Sequence, residues 1–184
     1  MLRSIKKFLR LQEGVAFVEF AITLPFLLAL FMGAVEVTRY ILIAQKVEKA
    51  TVTISDVVAQ EKTIGTTAMN QLITAVSQVM QPYTFSTNGY VIVSSVTPNA
   101  GGTPTIQWQY KGGGTWAQSS KIGSSGGTAT LPTGFTLSAG ENVIIAEVYY
   151  NYTTLMVNSV IPGGTIYKTA FFKPRLGTLN TLGS

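Results

Sequence analysis

The sequence contains no cysteine and no histidine. The first absence excludes disulfides, thiolate zinc sites and thiol nucleophiles. The second removes the commonest general base and the commonest transition-metal ligand. Charge is scarce too: 11% of the 184 residues are Asp, Glu, Lys or Arg, against about a quarter in ordinary soluble domains. That charge is unevenly placed. Arg3, Lys6, Lys7 and Arg10 against Glu13 give the first 14 residues +3 of the formal +5, leaving +2 for the rest. No basic stripe with interleaved aromatics follows, so nucleic acid is not an expected partner. No catalytic constellation emerges from so few clustered titratable groups. The expectation is a chain with no enzymatic activity, cofactor, metal or small-molecule substrate. The length suits one domain plus a membrane segment.

What is present is a long apolar run near the N-terminus. Val15–Val35 reads VAFVEFAITLPFLLALFMGAV, 21 residues with one charge, Glu19. As a helix it extends about 31 Å, enough for a hydrocarbon core of about 30 Å. The basic residues before it keep the N-terminus cytoplasmic by the positive-inside rule, so the chain after Val35 is exported. A secretory signal peptide would end in a small-x-small cleavage site. Here Glu36-Val37-Thr38-Arg39 follows instead, and the segment is expected to stay in the mature protein.

Glu19 separates a plain anchor from something more specialised. A carboxylate within an apolar span costs about 2.5–3.5 kcal/mol at the helix centre, and less near an edge. A plain anchor gains nothing from it. If the chain is cut after Gly14, the new α-amino group of Val15 lies one helical turn from Glu19, within a chain or on a neighbouring copy. Gly14 followed by an apolar stretch with Glu at its fifth position resembles the prepilin-peptidase site of type IV pilin-like proteins. The longer stretch from Glu13 through Gly14-Val15-Ala16-Phe17-Val18-Glu19 to Pro25-Phe26-Leu27-Leu28 is similar to the N-terminus of the TadE-like family. Gly33-Ala34-Val35-Glu36-Val37-Thr38-Arg39 and Gln45-Lys46-Val47-Glu48-Lys49-Ala50 continue it.

Members of that family are minor pilins, or pseudopilins, of the bacterial Tad (tight-adherence) pilus. The resemblance implies processing between Gly14 and Val15 by a prepilin peptidase, and pairing of Glu19 with an N-terminal amine. It also implies a single inner-membrane pass, an exported head and a role in pilus assembly and surface adhesion. Other Tad minor pilins, the pilus machinery and the membrane are the implied partners. The competing reading is an uncleaved, membrane-anchored extracytoplasmic binding module, which has no use for the Gly14/Glu19 pair.

Beyond the membrane, Val37–Val58 lacks Gly and Pro. Tyr40, Ala44, Val47, Thr51, Ile54 and Val58 recur at spacings of three and four, which predicts a buried helical seam. A second helix is predicted over Thr66–Met80, with Ala68, Leu72, Ala75, Val76 and Val79 inward and Pro82 ending it. After Pro82, strands are expected at Tyr90–Val96, Asn142–Tyr152 and Thr165–Phe172. Thr105–Tyr110 and Thr115–Ser119 are expected to form a hairpin around Lys111-Gly112-Gly113-Gly114, and Leu155–Val160 a short helical turn. The organisation expected is a leader (1–14), a transmembrane segment (15–35), a helical stalk with the second helix (36–82) and a β-rich exported head (83–184). In fold class this is α+β: a long helix on a small antiparallel sheet, with one further helix.

Within the head, Gly140-Glu141-Asn142 leading to Tyr149-Tyr150, and Tyr167 through Lys173-Pro174-Arg175, also resemble TadE-like proteins. Glu147 shares a strand face with Val143, Ile145 and Tyr149 by period two and is expected toward solvent. Tyr149, Tyr150, Tyr152, Phe171, Phe172, Trp108 and Trp116 are expected to pack. The glycine pairs and triplet lack the form of a phosphate loop. Gly33 is expected to be a tolerated small residue of a membrane helix.

Overall fold

The computed structural model describes residues 12–155 and 160–183. Helix α1 runs Gln12–Gln60 and is followed by β1 (Ile64–Gly65), α2 (Thr66–Val79) and the single turn α3 (Phe85–Asn88). Strands β2 (Gly89–Pro98), β3 (Pro104–Gly113), β4 (Val143–Tyr152) and β5 (Gly164–Phe172) come next, and then β6 (Leu182–Gly183). The α+β class is as expected from the sequence. Contacts divide the chain into two compact units. One joins the chain up to Tyr40 with Thr154–Pro162; the other joins Ile41–Thr153 with Gly163–Ser184. The predicted turn at Leu155–Val160 falls largely on residues 156–159, outside those described.

In the second unit the sheet order is β3-β2-β4-β5, every neighbouring pair antiparallel. The outer part of α1 lies on one face of this sheet. Ile43, Val47, Ala50, Ile54 and Val58 are buried, flanked by buried Thr51, Ser55 and Ala59. The stripe is broader than the predicted seam, whose inner members Tyr40 and Ala44 are half-buried. Small residues at 50, 55 and 59 let the helix backbone approach the strands. The Ser55 hydroxyl lies 3.2 Å from the Ile144 carbonyl oxygen and 3.4 Å from that of Ala170, on adjacent strands β4 and β5.

Helix α2 forms where its spacing places it, with a different face inward. Met69, Ile73, Val76 and Met80 are buried, whereas Ala75 and Val79 are exposed. The same period runs through both sets, and contact with β3 selects one of them. A Cβ on Gly112 would stand 2.8 Å from Ile73 Cδ1. The missing side chain therefore makes room for Ile73.

This also corrects the expected hairpin. The glycine triplet is not a turn: β3 continues through Lys111, Gly112 and Gly113, paired antiparallel with β2, and 115–119 forms no strand. The turn of the β2–β3 hairpin is at 99–103, where the Asn99 side chain accepts from the backbone N–H groups of Gly101 and Thr103 (3.0 Å each). Gly114 is required for a close backbone approach. Its Cβ would fall 2.3 Å from the Gly89 carbonyl oxygen and 2.8 Å from those of Phe85 and Ser86.

The other sheet face is covered by 114–142, largely irregular chain. Ile122 and Ala129 are buried there against Val96, Ile106, Val143 and Ile145, with Leu131, Phe135, Leu137 and Phe171 packed around them. The C-terminal segment returns to the helix face. Arg175 N–H donates to the Ala59 carbonyl (2.8 Å), one of the carbonyls a helix end leaves unpaired, and its guanidinium bonds Asp56 at 2.6 Å. The Leu179 carbonyl accepts from Ser95 Oγ (2.6 Å) and Trp108 Nε1 (2.7 Å). β6 then pairs parallel with β1.

Truncating Ile54, 2% exposed, to Ala should cost about 2–5 kcal/mol through lost burial and the cavity left behind. Ile41→Ala, at a residue 47% exposed on the same helix, should stay within about 0.5 kcal/mol. Guanidinium unfolding of the detergent-solubilised chain measures both, and equal effects would contradict the packing described.

Candidate functional site

Gly14, Val15 and Glu19 lie on one uninterrupted stretch of α1, close to its first described residue. The basic side chains Arg3, Lys6, Lys7 and Arg10 lie outside the described residues. Val15 and Glu19 are four apart, hence on one helix face with about 6 Å of rise between them. Both are exposed. The Glu19 backbone carbonyl accepts from Thr23 Oγ1 at 2.7 Å. Among the described residues no side chain pairs with its carboxylate. Cutting the Gly14–Val15 bond would therefore place an ammonium and a carboxylate on one accessible face.

The rest of this half of α1 is a surface of large apolar side chains. Phe17, Phe26, Leu30 and Phe31 are 64–73% exposed, and nothing in the most apolar window is buried within the chain. In water such a surface is prohibitively unfavourable, since each large apolar side chain gains about 1.5–3 kcal/mol from full burial. Among the described residues one helix is long and apolar enough to cross a membrane, and it fits a single-pass anchor. Pro25 removes one intrahelical bond, leaving the Ala21 carbonyl without its i+4 donor, a defect membrane helices tolerate. At the end of the run the pattern changes: Glu36 is fully buried, with Arg39 Nη1 at 3.7 Å from its carboxylate.

The head holds a second carboxylate that sequence reasoning misplaced. Glu147, expected toward solvent, is 0% exposed. Its face of β4 does point away from the helices, but 114–142 covers that face. The carboxylate accepts from Ser120 Oγ, from the backbone N–H of Lys121 (2.9 Å), and from the hydroxyls of Tyr149 and Tyr167 (3.0 Å each). The signal was available: Val143 through Val148 is apolar on both faces, as in strands buried on both sides, so a charge within it needs partners. Tyr149 and Tyr167 stack at 4.8 Å between centroids, and Lys121 Nζ sits 4.1 Å over the Tyr167 ring. This arrangement is internally satisfied. It fastens the covering chain to the sheet and leaves no open ligand position.

Burial raises both tyrosine hydroxyls well above the ordinary phenol range, and the Glu147 charge adds to the effect. Above about pH 10 the unfolded chain loses these protons while the folded one keeps them. The unfolded state then binds fewer protons, so stability is intact below that pH and falls as pH rises through it. Denaturation midpoints between pH 8 and 11 should show the decline. Glu147→Gln should flatten the decline without abolishing it, because burial is the larger cause. Glu147→Ala should destabilise by about 3 kcal/mol or more at neutral pH, by leaving several buried donors unpaired. An unchanged midpoint would refute the clamp.

Comparison with known proteins bears on the helix. The family model described as TadE-like protein matches residues 14–53. No curated protein and no solved structure matches the chain. The match begins at Gly14, takes in Val15, Glu19 and the whole apolar run, and extends onto the buried stripe of α1. Over residues 14–53 the chain is similar to TadE-like protein, in agreement with the resemblance its N-terminal residues carry.

Proposed function

We propose that this protein is a minor pilin, or pseudopilin, of a Tad pilus, acting in pilus assembly and surface adhesion. The observation that carries the reading is that exposed Val15 and Glu19 follow buried Gly14 at the start of a helix whose most apolar window the chain itself leaves uncovered, within the segment that matches TadE-like protein. The precursor inserts with its basic leader in the cytoplasm and its head outside the inner membrane. A prepilin peptidase cuts between Gly14 and Val15. The new Val15 ammonium is paired by Glu19, within one chain or between neighbours, which offsets the cost of carrying either charge into an apolar setting. The exposed apolar side chains of 15–35 meet lipid before assembly and other pilus subunits after it. Buried tightly on α1, the head serves as an exported structural module.

Expression with and without the cognate prepilin peptidase, followed by determination of the N-terminal residue, tests the processing step. A mature chain beginning at Val15 only when the peptidase is present is the expected outcome. A leader left intact under both conditions would overturn the reading in favour of an uncleaved membrane-anchored binding module. Glu19→Ala should still be cut at Gly14 but should reduce piliation; full piliation in that variant would remove the pairing role.

A further inference from the structure

The connection between β4 and β5 is unlike an ordinary surface loop. Between Val148 and Tyr167 the sequence has no charged residue, and the stretch from Leu155 reads Leu-Met-Val-Asn-Ser-Val-Ile-Pro. Connections exposed to water are normally polar. Leu155 is nonetheless 63% exposed and Val160 45% exposed.

These residues belong to the same compact unit as the first half of α1, and their contacts fix their level along it. Val160 Cγ2 lies 3.7 Å from where a Cβ on Gly33 would be. The Leu155 backbone N–H donates to both oxygens of Glu36 at 3.2 Å. Gly33 is two residues before the end of the apolar run, about 3 Å by helical rise, and Glu36 is one residue after it. The connection thus meets α1 at the turn where a bilayer core about 30 Å thick, entered at Val15, would end.

The buried Glu36 carboxylate acquires a purpose from this geometry. Irregular backbone near hydrocarbon requires internal hydrogen-bond partners. Glu36 supplies one to Leu155 and is itself charge-compensated by Arg39 at 3.7 Å. Gly33 offers a flat helix surface against which Val160 rests. Polar groups turned inward and apolar side chains turned outward, at the depth of the membrane boundary, are the features of an interfacial element.

We infer that Leu155 and Val160, on the β4–β5 connection, form a second membrane contact, inserting into the outer interface of the phospholipid bilayer that α1 spans. The inference rests on the reading of 15–35 as a membrane span. The occupant is lipid because exposed Leu155 and Val160 sit beside Glu36 and Gly33, where the exposed apolar run of α1 ends.

The absence of cysteine allows each position to be labelled alone. Single variants Leu155→Cys, Val160→Cys, Leu28→Cys and Thr133→Cys, all at exposed positions, are made in the full chain. They are labelled with an environment-sensitive nitrobenzoxadiazole fluorophore and reconstituted in phosphatidylethanolamine–phosphatidylglycerol vesicles containing lipids with nitroxides at headgroup, shallow-chain or mid-chain depth. The expected result is strong quenching at 155 and 160 by headgroup and shallow-chain nitroxides, mid-chain quenching at 28, and none at 133. Quenching at 28 with 155 and 160 indistinguishable from 133 would overturn this inference while leaving the membrane span intact. Loss of quenching at 28 as well would overturn both.

Discussion

Helix α1 carries more apolar surface than this chain can cover, and much of the molecule's organisation follows from that imbalance. Its outer part solves the problem internally, burying Ile43, Val47, Ala50, Ile54 and Val58 under a four-stranded sheet. Its inner part presents Phe17, Phe26, Leu30 and Phe31 to whatever surrounds it. Uncovered apolar area on this scale marks a surface made for lipid or for other protein. One continuous helix therefore links a self-sufficient folding unit to an environment-dependent one.

The head reaches self-sufficiency by unusual means. Half of its sheet cover is irregular chain, which cannot satisfy its own backbone as a helix or strand does. The Glu147 cluster compensates by gathering Ser120, Lys121, Tyr149 and Tyr167 on one carboxylate. Asn142 does similar work on the helix face: its side chain donates to Ser95 Oγ (2.7 Å) and Thr97 Oγ1 (2.8 Å) and accepts from Leu179 N–H (3.1 Å). Exposed contacts such as Lys173–Glu141 at 2.6 Å are bonds of a weaker kind. There the lysine holds the Glu141 carboxyl below its usual range, but water screens the pair.

How much of this could be read from the residues depended on whether the decisive partner was near in sequence. The span, its continuation to Gln60 and the strands 89–98, 143–152 and 164–172 follow from periodicity, which is local. The expected roles of Gly14 and Glu19 rest on the same kind of local signal, five positions apart. The face of α2 was not, because Met69-Ile73-Val76 and Leu72-Val76-Val79 have equal claims until β3 arrives with a gap at Gly112. The glycine triplet read as a turn because the crowding that demands Gly114 comes from Phe85, Ser86 and Gly89, some 25 positions earlier. Glu147 was misplaced because its cover, 114–142, has no periodic signature.

The return of the C-terminal segment to α1 has a temporal meaning. Arg175 on Asp56 and Ala59, Leu179 on Ser95 and Trp108, and β6 on β1 join segments far apart along the chain. Contacts so distant along the chain form late, after the intervening loop entropy has been overcome. A ribosome releasing residues in order cannot deliver the closed head until residues 175–183 have emerged. Until then β1 lacks its partner β6 and the helix face lacks its strap.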